Sequence, residues 1–113
     1  MSVNLQAAPR TLDAPACRTS LGLMLSDTAT LIDDLTAEVE SLRPLIARDP
    51  VAETDYLWAS RRLAVARQTA VEANAALQRM DDGSYGRCVK CSEQIPFARL
   101  ELRPHADCCV TCS

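Results

Sequence analysis

Two Cys-x2-Cys pairs, Cys88 with Cys91 and Cys109 with Cys112, stand 17 residues apart near the end of a 113-residue chain. In a turn of that length two thiolates point the same way, and nearby backbone amides soften their charge. Two such turns together offer four soft sulfurs in a tetrahedron, the arrangement zinc favours, and this spacing falls in the range of structural zinc ribbons. Four protein ligands leave no open position, so the expected single Zn2+ is structural and not catalytic. Cys108 could replace Cys109 only through a Cys-x3-Cys loop, the poorer geometry. His105, the sole histidine, is the one nitrogen alternative; beside Pro104 it reads as an exposed loop residue. Cys17 is set apart and reads as a bystander.

The remaining chain must supply a scaffold with little bulk. The apolar fraction is 48%, yet there are only one tryptophan, two tyrosines and one phenylalanine, and much of the rest is alanine, which buries little area. Three glycines argue against a loop-rich or all-β protein. The pattern is helical instead. Leu21, Leu25, Thr28, Ile32, Leu35, Val39, Leu42 and Ile46 recur at intervals of four and three, the seam of a coiled coil, and Tyr56, Ala59, Leu63, Ala66, Ala70, Ala73, Leu77 and Met80 form a second. Between them lies a turn in which Asp49 is placed to cap a helix with Pro50 at its first position. Pro44 should end or kink the first helix near this turn.

Folded back antiparallel, the two series bring Leu25 to Leu77, Ile32 to Ala70, Leu35 to Ala66 and Val39 to Leu63. Large residues then face mostly alanine, which permits close helix approach. Asp34 with Arg67 and Glu38 with Arg62 are the expected flanking ion pairs, each worth under about 1 kcal/mol when exposed. A helix of roughly 28 residues is about 42 Å long, so the turn should lie far from the cysteines.

The expected fold is therefore mainly α: residues 1–18 a flexible tail carrying Pro9 and Pro15, 19–82 an antiparallel two-helix coiled-coil hairpin with its tip near 47–55, and 83–113 a small C4 zinc-ribbon-like domain. Gly83 suits the left-handed position that ends the second helix, with Tyr85 packing there. A net charge of −3 does not suit a domain held mainly to nucleic-acid phosphates, so direct sequence-specific DNA binding is not expected. Without a secretory signal or a long apolar run, the chain is expected in the cytoplasm, unattached to membrane and monomeric. No nucleophile–base pair or phosphate-binding glycine loop is present, and no enzyme activity is expected.

Residues 81–112, with "DGSYGRCVKC" and Arg99-Leu100-Glu101-Leu102-Arg103-Pro104 ahead of the second cysteine pair, closely resemble the C4 zinc finger of the DksA/TraR family of bacterial transcription regulators. The resemblance extends more loosely to the hairpin. It implies a regulator that binds RNA polymerase, with the zinc finger at the rim of the secondary channel and the coiled coil reaching inward. Several members act with guanosine tetraphosphate, which becomes a candidate ligand of the complex. The family tip reads Asp-x2-Asp-x-Ala; here Asp49 matches, while Ala52 and Thr54 stand in the other two places. Ser92 stands where a glycine is common. The resemblance makes Asp49, Glu53 and Asp55 the expected polymerase-directed tip residues, and closely spaced carboxylates can hold magnesium. The alternative is a thiol-based redox or zinc sensor, or an interaction module without the usual tip activity, in which Cys108 would oxidise or exchange onto the metal.

Overall fold

The computed structural model describes residues 14–112. Helix α1 runs Ala14–Leu42, a 3-10 turn spans Arg43–Arg48, helix α2 runs Pro50–Asp82, and a short helix α3 spans Phe97–Leu102. Among the described residues there is no strand, only an isolated antiparallel bridge between Arg87 and Gln94. The two long helices fold back on each other into a rod, and the molecule measures 69 × 29 × 26 Å. Among the described residues no helix is long and apolar enough to cross a membrane.

Every position of both expected seams is buried or half-buried. Leu35, Val39, Ala59, Leu63 and Ala66 form one buried cluster, flanked by Ile32 and Tyr56. Leu21, Ala73 and Ala76 form another nearer the base, flanked by Leu25, Leu77 and Met80. The antiparallel register read from the periodicity agrees with these clusters, which hold Leu35 and Val39 with Ala66 and Leu63, and Leu25 with Leu77. Ala52, Ala59, Ala66 and Ala73 are all buried at seven-residue steps on α2, so the stripe facing α1 is one of methyl groups and the helices pack closely.

The turn follows from local chemistry. Pro44 has no backbone N–H to continue the α1 ladder, so the chain tightens into the 3-10 segment. Asp49 then leaves helical geometry (φ −142°, ψ 106°) and its carboxylate accepts from the Val51 N–H at 3.0 Å. Pro50 follows at the first helical position, where no hydrogen bond is lost. At the other end, Gly83 takes φ 85° and donates to Arg79 O, a left-handed cap that stops α2.

Three expectations are corrected. The tail expected over 1–18 is helical from Ala14 onward, because Pro15 lies in the first turn, where a proline costs no helix bond; residues 1–13 lie outside the described residues. Cys17 stays outside the sulfur group, as expected, but it is no tail residue: it is 8% exposed and extends the α1 seam one turn ahead of Leu21. Neither Asp34–Arg67 nor Glu38–Arg62 is an ion pair. Among the described residues the exposed pair at the base is Arg18–Asp81, 3.0 Å apart, and Glu40–Arg43 sit at 3.8 Å within the turn end of α1. Long solvated side chains gain too little from pairing to be held in one geometry.

Candidate metal centre

The last turn of α2 and the finger are joined by backbone and by one aromatic ring. Ser84 N–H and Tyr85 N–H both donate to Arg79 O, and Ser84 is held by the Asp82 carboxylate through its N–H and its hydroxyl. Tyr85 packs on both the hairpin's basal cluster and the finger's core. Its hydroxyl donates to Pro104 O at 2.8 Å. Burial, and then the neighbouring Cys17 thiol, raise this hydroxyl above the ordinary tyrosine range, so it stays a donor at neutral pH.

Beyond Tyr85 the chain makes a tight loop. Cys88 N–H donates to Glu93 O, Ser92 N–H to Cys88 O, and Ile95 N–H to Gly86 O. Ser92 sits at φ 66°, a left-handed conformation that favours glycine. Lys90 N–H points at the Cys88 sulfur at 3.4 Å. The second cysteine turn closes by Cys112 N–H to Cys109 O, and Val89 N–H to Asp107 O ties the two turns together. Arg99, on α3, donates from Nε to Cys108 O at 3.1 Å. Ile95, Leu100, Ala106 and Cys108 fill the small core beneath, with Phe97 against it.

The result is convergence of four sulfurs. The Sγ atoms of Cys88, Cys91, Cys109 and Cys112 all lie within 4.8 Å of one another, and Cys91 and Cys109 are 3.7 Å apart. A tetrahedral zinc with Zn–S near 2.3 Å requires sulfurs about 3.8 Å apart, so the cavity between them fits one such ion. The chemistry of the donors agrees. The Cys109 backbone N–H chiefly, with those of Cys91 and Lys90, brings the Cys88 thiol down to about 6. Hydrogen bonds that the Cys112 thiol donates to the Cys109, Cys91 and Cys88 sulfurs push it up to about 12. Four thiols so close cannot all ionise unaided, and a divalent cation removes that conflict. Such an ion holds the fold together; with four protein ligands it leaves no site for a substrate.

Cys108 lies outside this group, 8% exposed in the finger's core. Burial first, then Asp107, pushes its thiol up, as suits a small apolar filler. His105 is also outside the group. Instead of standing in solvent it is half-buried, with Nε2 3.7 Å from the Glu72 carboxylate on α2. Burial, then Arg103, lowers its pKa while Glu72 and Asp107 act against them. Arg79 also reaches across, from its guanidinium to Ala106 O at 3.4 Å.

At the far end, Asp49, Glu53 and Asp55 are exposed around the start of α2. They do not form a group able to share one metal ion among the described residues. Ala52 is 3% exposed, so the residue standing at the family's second tip aspartate is a packing residue here. Thr54 turns its hydroxyl to Pro50 O.

A long helical hairpin closed at its base by four convergent thiols defines a C4 zinc-finger protein. Residues 83–112 match the prokaryotic dksA/traR C4-type zinc finger, and the chain belongs to the DksA/TraR family. It is 35% identical over 83 residues to the RNA polymerase-binding transcription factor DksA of Caulobacter vibrioides, covering 74% of this chain and 58% of that one. With general stress protein 16O of Bacillus subtilis it shares 50% identity over 40 residues, 35% of this chain and 24% of that protein. The chain thus spans less than two thirds of the length of these relatives. Among solved structures, transcription factor DksA2 from Pseudomonas aeruginosa superposes with a TM-score of 0.64 at 27% identity, over 96% of this chain and 90% of that one.

Proposed function

We propose that this chain regulates transcription by binding RNA polymerase, and that it is not an enzyme. The finger, with Cys88, Cys91, Cys109 and Cys112 as zinc ligands, docks at the rim of the secondary channel, and the hairpin carries its tip inward. The observation that supports this best is the architecture itself. The molecule, 69 Å long, holds the exposed Asp49, Glu53 and Asp55 near the turn at one end and a compact finger with four convergent thiols at the other. A relative that it matches bears the name of an RNA polymerase-binding transcription factor. The chain's acidity, with a net charge of −3, fits a protein partner better than DNA. On this reading the protein works in the cytoplasm, and guanosine tetraphosphate acts at the complex.

The test is binding of the purified, zinc-loaded chain to RNA polymerase, followed by in vitro transcription with and without guanosine tetraphosphate. Failure to bind polymerase removes the proposal; binding without response to the nucleotide removes only that part. A thiol sensor is the weaker reading, because Cys108 is buried and its thiol is held protonated.

A further inference from the structure

The four sulfurs converge, but their surroundings are unequal. Cys88 and Cys109, the first residues of their turns, are 2% and 9% exposed, and both belong to the finger's core with Ile95 and Leu100. Cys91 is exposed and Cys112 half-buried at the rim of that core. Hydrogen bonding follows the same division. The backbone N–H groups of Cys109, Cys91 and Lys90 all act on the Cys88 sulfur, whereas on the Cys91 sulfur it is the N–H of Glu93 alone. The tetrad thus has a packed side and an open edge, and that edge is formed by Cys91 and Cys112.

One side chain bridges the two turns at this edge. Lys90 precedes Cys91, and its backbone N–H points at the Cys88 sulfur at 3.4 Å. Its Nζ crosses to the second turn and donates to Cys112 O at 3.3 Å. A bond between two exposed partners adds little to folding, yet it must break before the turns can part here. Its charge also has a role. Four thiolates around one divalent ion keep two negative charges in excess, and groups that touch metal ligands from outside tune the hold on the metal. The Lys90 ammonium supplies a counter-charge at the exposed ligands. Arg87 adds another nearby, donating to Ser92 O at 3.3 Å directly after Cys91.

We propose that metal enters and leaves the finger through the Cys91–Cys112 edge, and that Lys90 is the positioning residue that holds this edge closed. Opening breaks the bond from Lys90 Nζ to Cys112 O. Cys91 Sγ then yields its place to an incoming ligand atom and takes up a proton. One bond to the metal is exchanged for another, and no sulfur is oxidised. Cys88 and Cys109, held by the core and by backbone donors, let go last. The inference rests on the reading of these four thiols as a zinc site and is independent of polymerase binding.

The experiment uses the full, reduced, zinc-loaded chain. Limiting iodoacetamide, a neutral reagent, alkylates a thiolate by forming an S–C bond as iodide leaves. Peptide mass mapping should find the label first on Cys91 and then on Cys112, with Cys88 and Cys109 labelled only after zinc is lost. Lys90→Met keeps the aliphatic stem and removes the ammonium. It should bind one zinc per chain, as the wild type does, yet be labelled at Cys91 about threefold faster or more. Replacement of zinc by added Cd2+, read from the ultraviolet thiolate-to-metal absorbance, should quicken by a similar factor. Lys90→Arg, which keeps charge and donor, should stay within about twofold of the wild type. Label first on Cys88 or Cys109, or on all four at one rate, overturns the open edge. Unchanged rates in Lys90→Met, or equal acceleration in Lys90→Arg, overturn the role of the lysine. Loss of zinc binding in Lys90→Met overturns that role too, while the wild-type labelling order still decides the edge. A wild-type chain that holds no zinc removes the site reading itself, and this inference with it.

Discussion

The Tyr85 hydroxyl donates to the carbonyl of Pro104 at 2.8 Å, and this one bond joins the end of the hairpin to the far side of the metal-braced loop. The tyrosine ring belongs to both apolar clusters at the junction, so rod and finger share a piece of core. Arg79 and Glu72 reinforce the seam from α2, through Ala106 and His105. Tyr85→Phe should keep the ring packing and lose the bond, leaving a carbonyl in need of a partner. The expected cost is about 1 kcal/mol, with faster amide exchange in 104–106 and little change in α1 and the tip half of α2.

Removing the metal should separate the two halves of the molecule. The finger's buried set is Cys88, Ile95, Leu100, Ala106, Cys108 and Cys109, too little apolar area to fold without help. For such a segment metal-binding energy is folding energy, on the order of 10 kcal/mol for structural zinc. Metal analysis should find one zinc per chain. Chelation, Cys88→Ser or Cys112→Ser should lose the dispersed resonances of 83–112 while most of the helical signal survives. Cys108→Ser should keep one zinc per chain but cost about 1–2 kcal/mol, because it puts a hydroxyl into the apolar core. Loss of zinc on that substitution would move the ligand set by one residue.

Ser92 holds φ 66° directly after the first cysteine turn. A β-carbon is disfavoured there, and glycine carries no such strain. Ser92→Gly should therefore stabilise the zinc-loaded finger by about 1 kcal/mol, read as a raised thermal midpoint or slower zinc release to a chelator. A destabilised variant would mean the serine side chain contributes more than its backbone costs.

Much of this molecule is legible in its sequence, because the determinants are periodic or local. Seam positions repeat every three and four residues, Asp49 with Pro50 is a start signal, Gly83 is a stop, and cysteine spacing specifies the convergence of sulfurs. What escapes has a different character. Pro15 reads as tail punctuation, although a first-turn proline fits a helix, and Cys17 reads as a bystander at the edge of that tail although its distance from Leu21 continues the seam. His105 reads as exposed because its partner, Glu72, lies 33 residues away on another element. Ala52 reads as a missing tip carboxylate, and only the packing reveals that its methyl group faces inward. Contacts that cross from rod to finger leave no period in the sequence.

His105 gives the junction a pH dependence. Its pKa is lowered in the folded chain, chiefly by burial, so the unfolded chain binds the proton more readily. Stability is then intact above the unfolded value of about 6.5 and falls as pH drops through it toward the lower folded value. Glu72 and Asp107 limit the loss. The measurement is the thermal midpoint between about pH 7.5 and about pH 5.5. His105→Gln should flatten the part of the decline that begins near 6.5 and leave any steeper acid loss caused by protonation of zinc-bound thiolates. An identical profile in the variant would assign the whole decline to the metal site.

Polymerase binding and tip activity should separate on Asp49. Its carboxylate caps α2 through the Val51 N–H at 3.0 Å and also stands exposed at the end of the rod, so an alanine there would confuse two effects. Asp49→Asn avoids this, because it keeps a capping oxygen and asparagine caps about as well as aspartate, while Asp49→Ala should cost about 1 kcal/mol of helix stability. One exposed carboxylate adds little to a large interface, but on the proposed docking, with the tip near a charged catalytic centre, it would alter the local potential there. Asp49→Asn should therefore leave polymerase affinity within about twofold and change transcription output in vitro. Glu53→Gln and Asp55→Asn should act in the same direction. Ala52→Asp is a poor converse substitution, since Ala52 is 3% exposed and a carboxylate there would disturb the seam; Thr54→Ala tests the remaining family difference without that cost. If Asp49→Asn abolishes binding while the helix stays capped, the tip is an affinity element. If it changes neither binding nor output, the rod acts by occupying space, and its acidic end carries no specific chemistry.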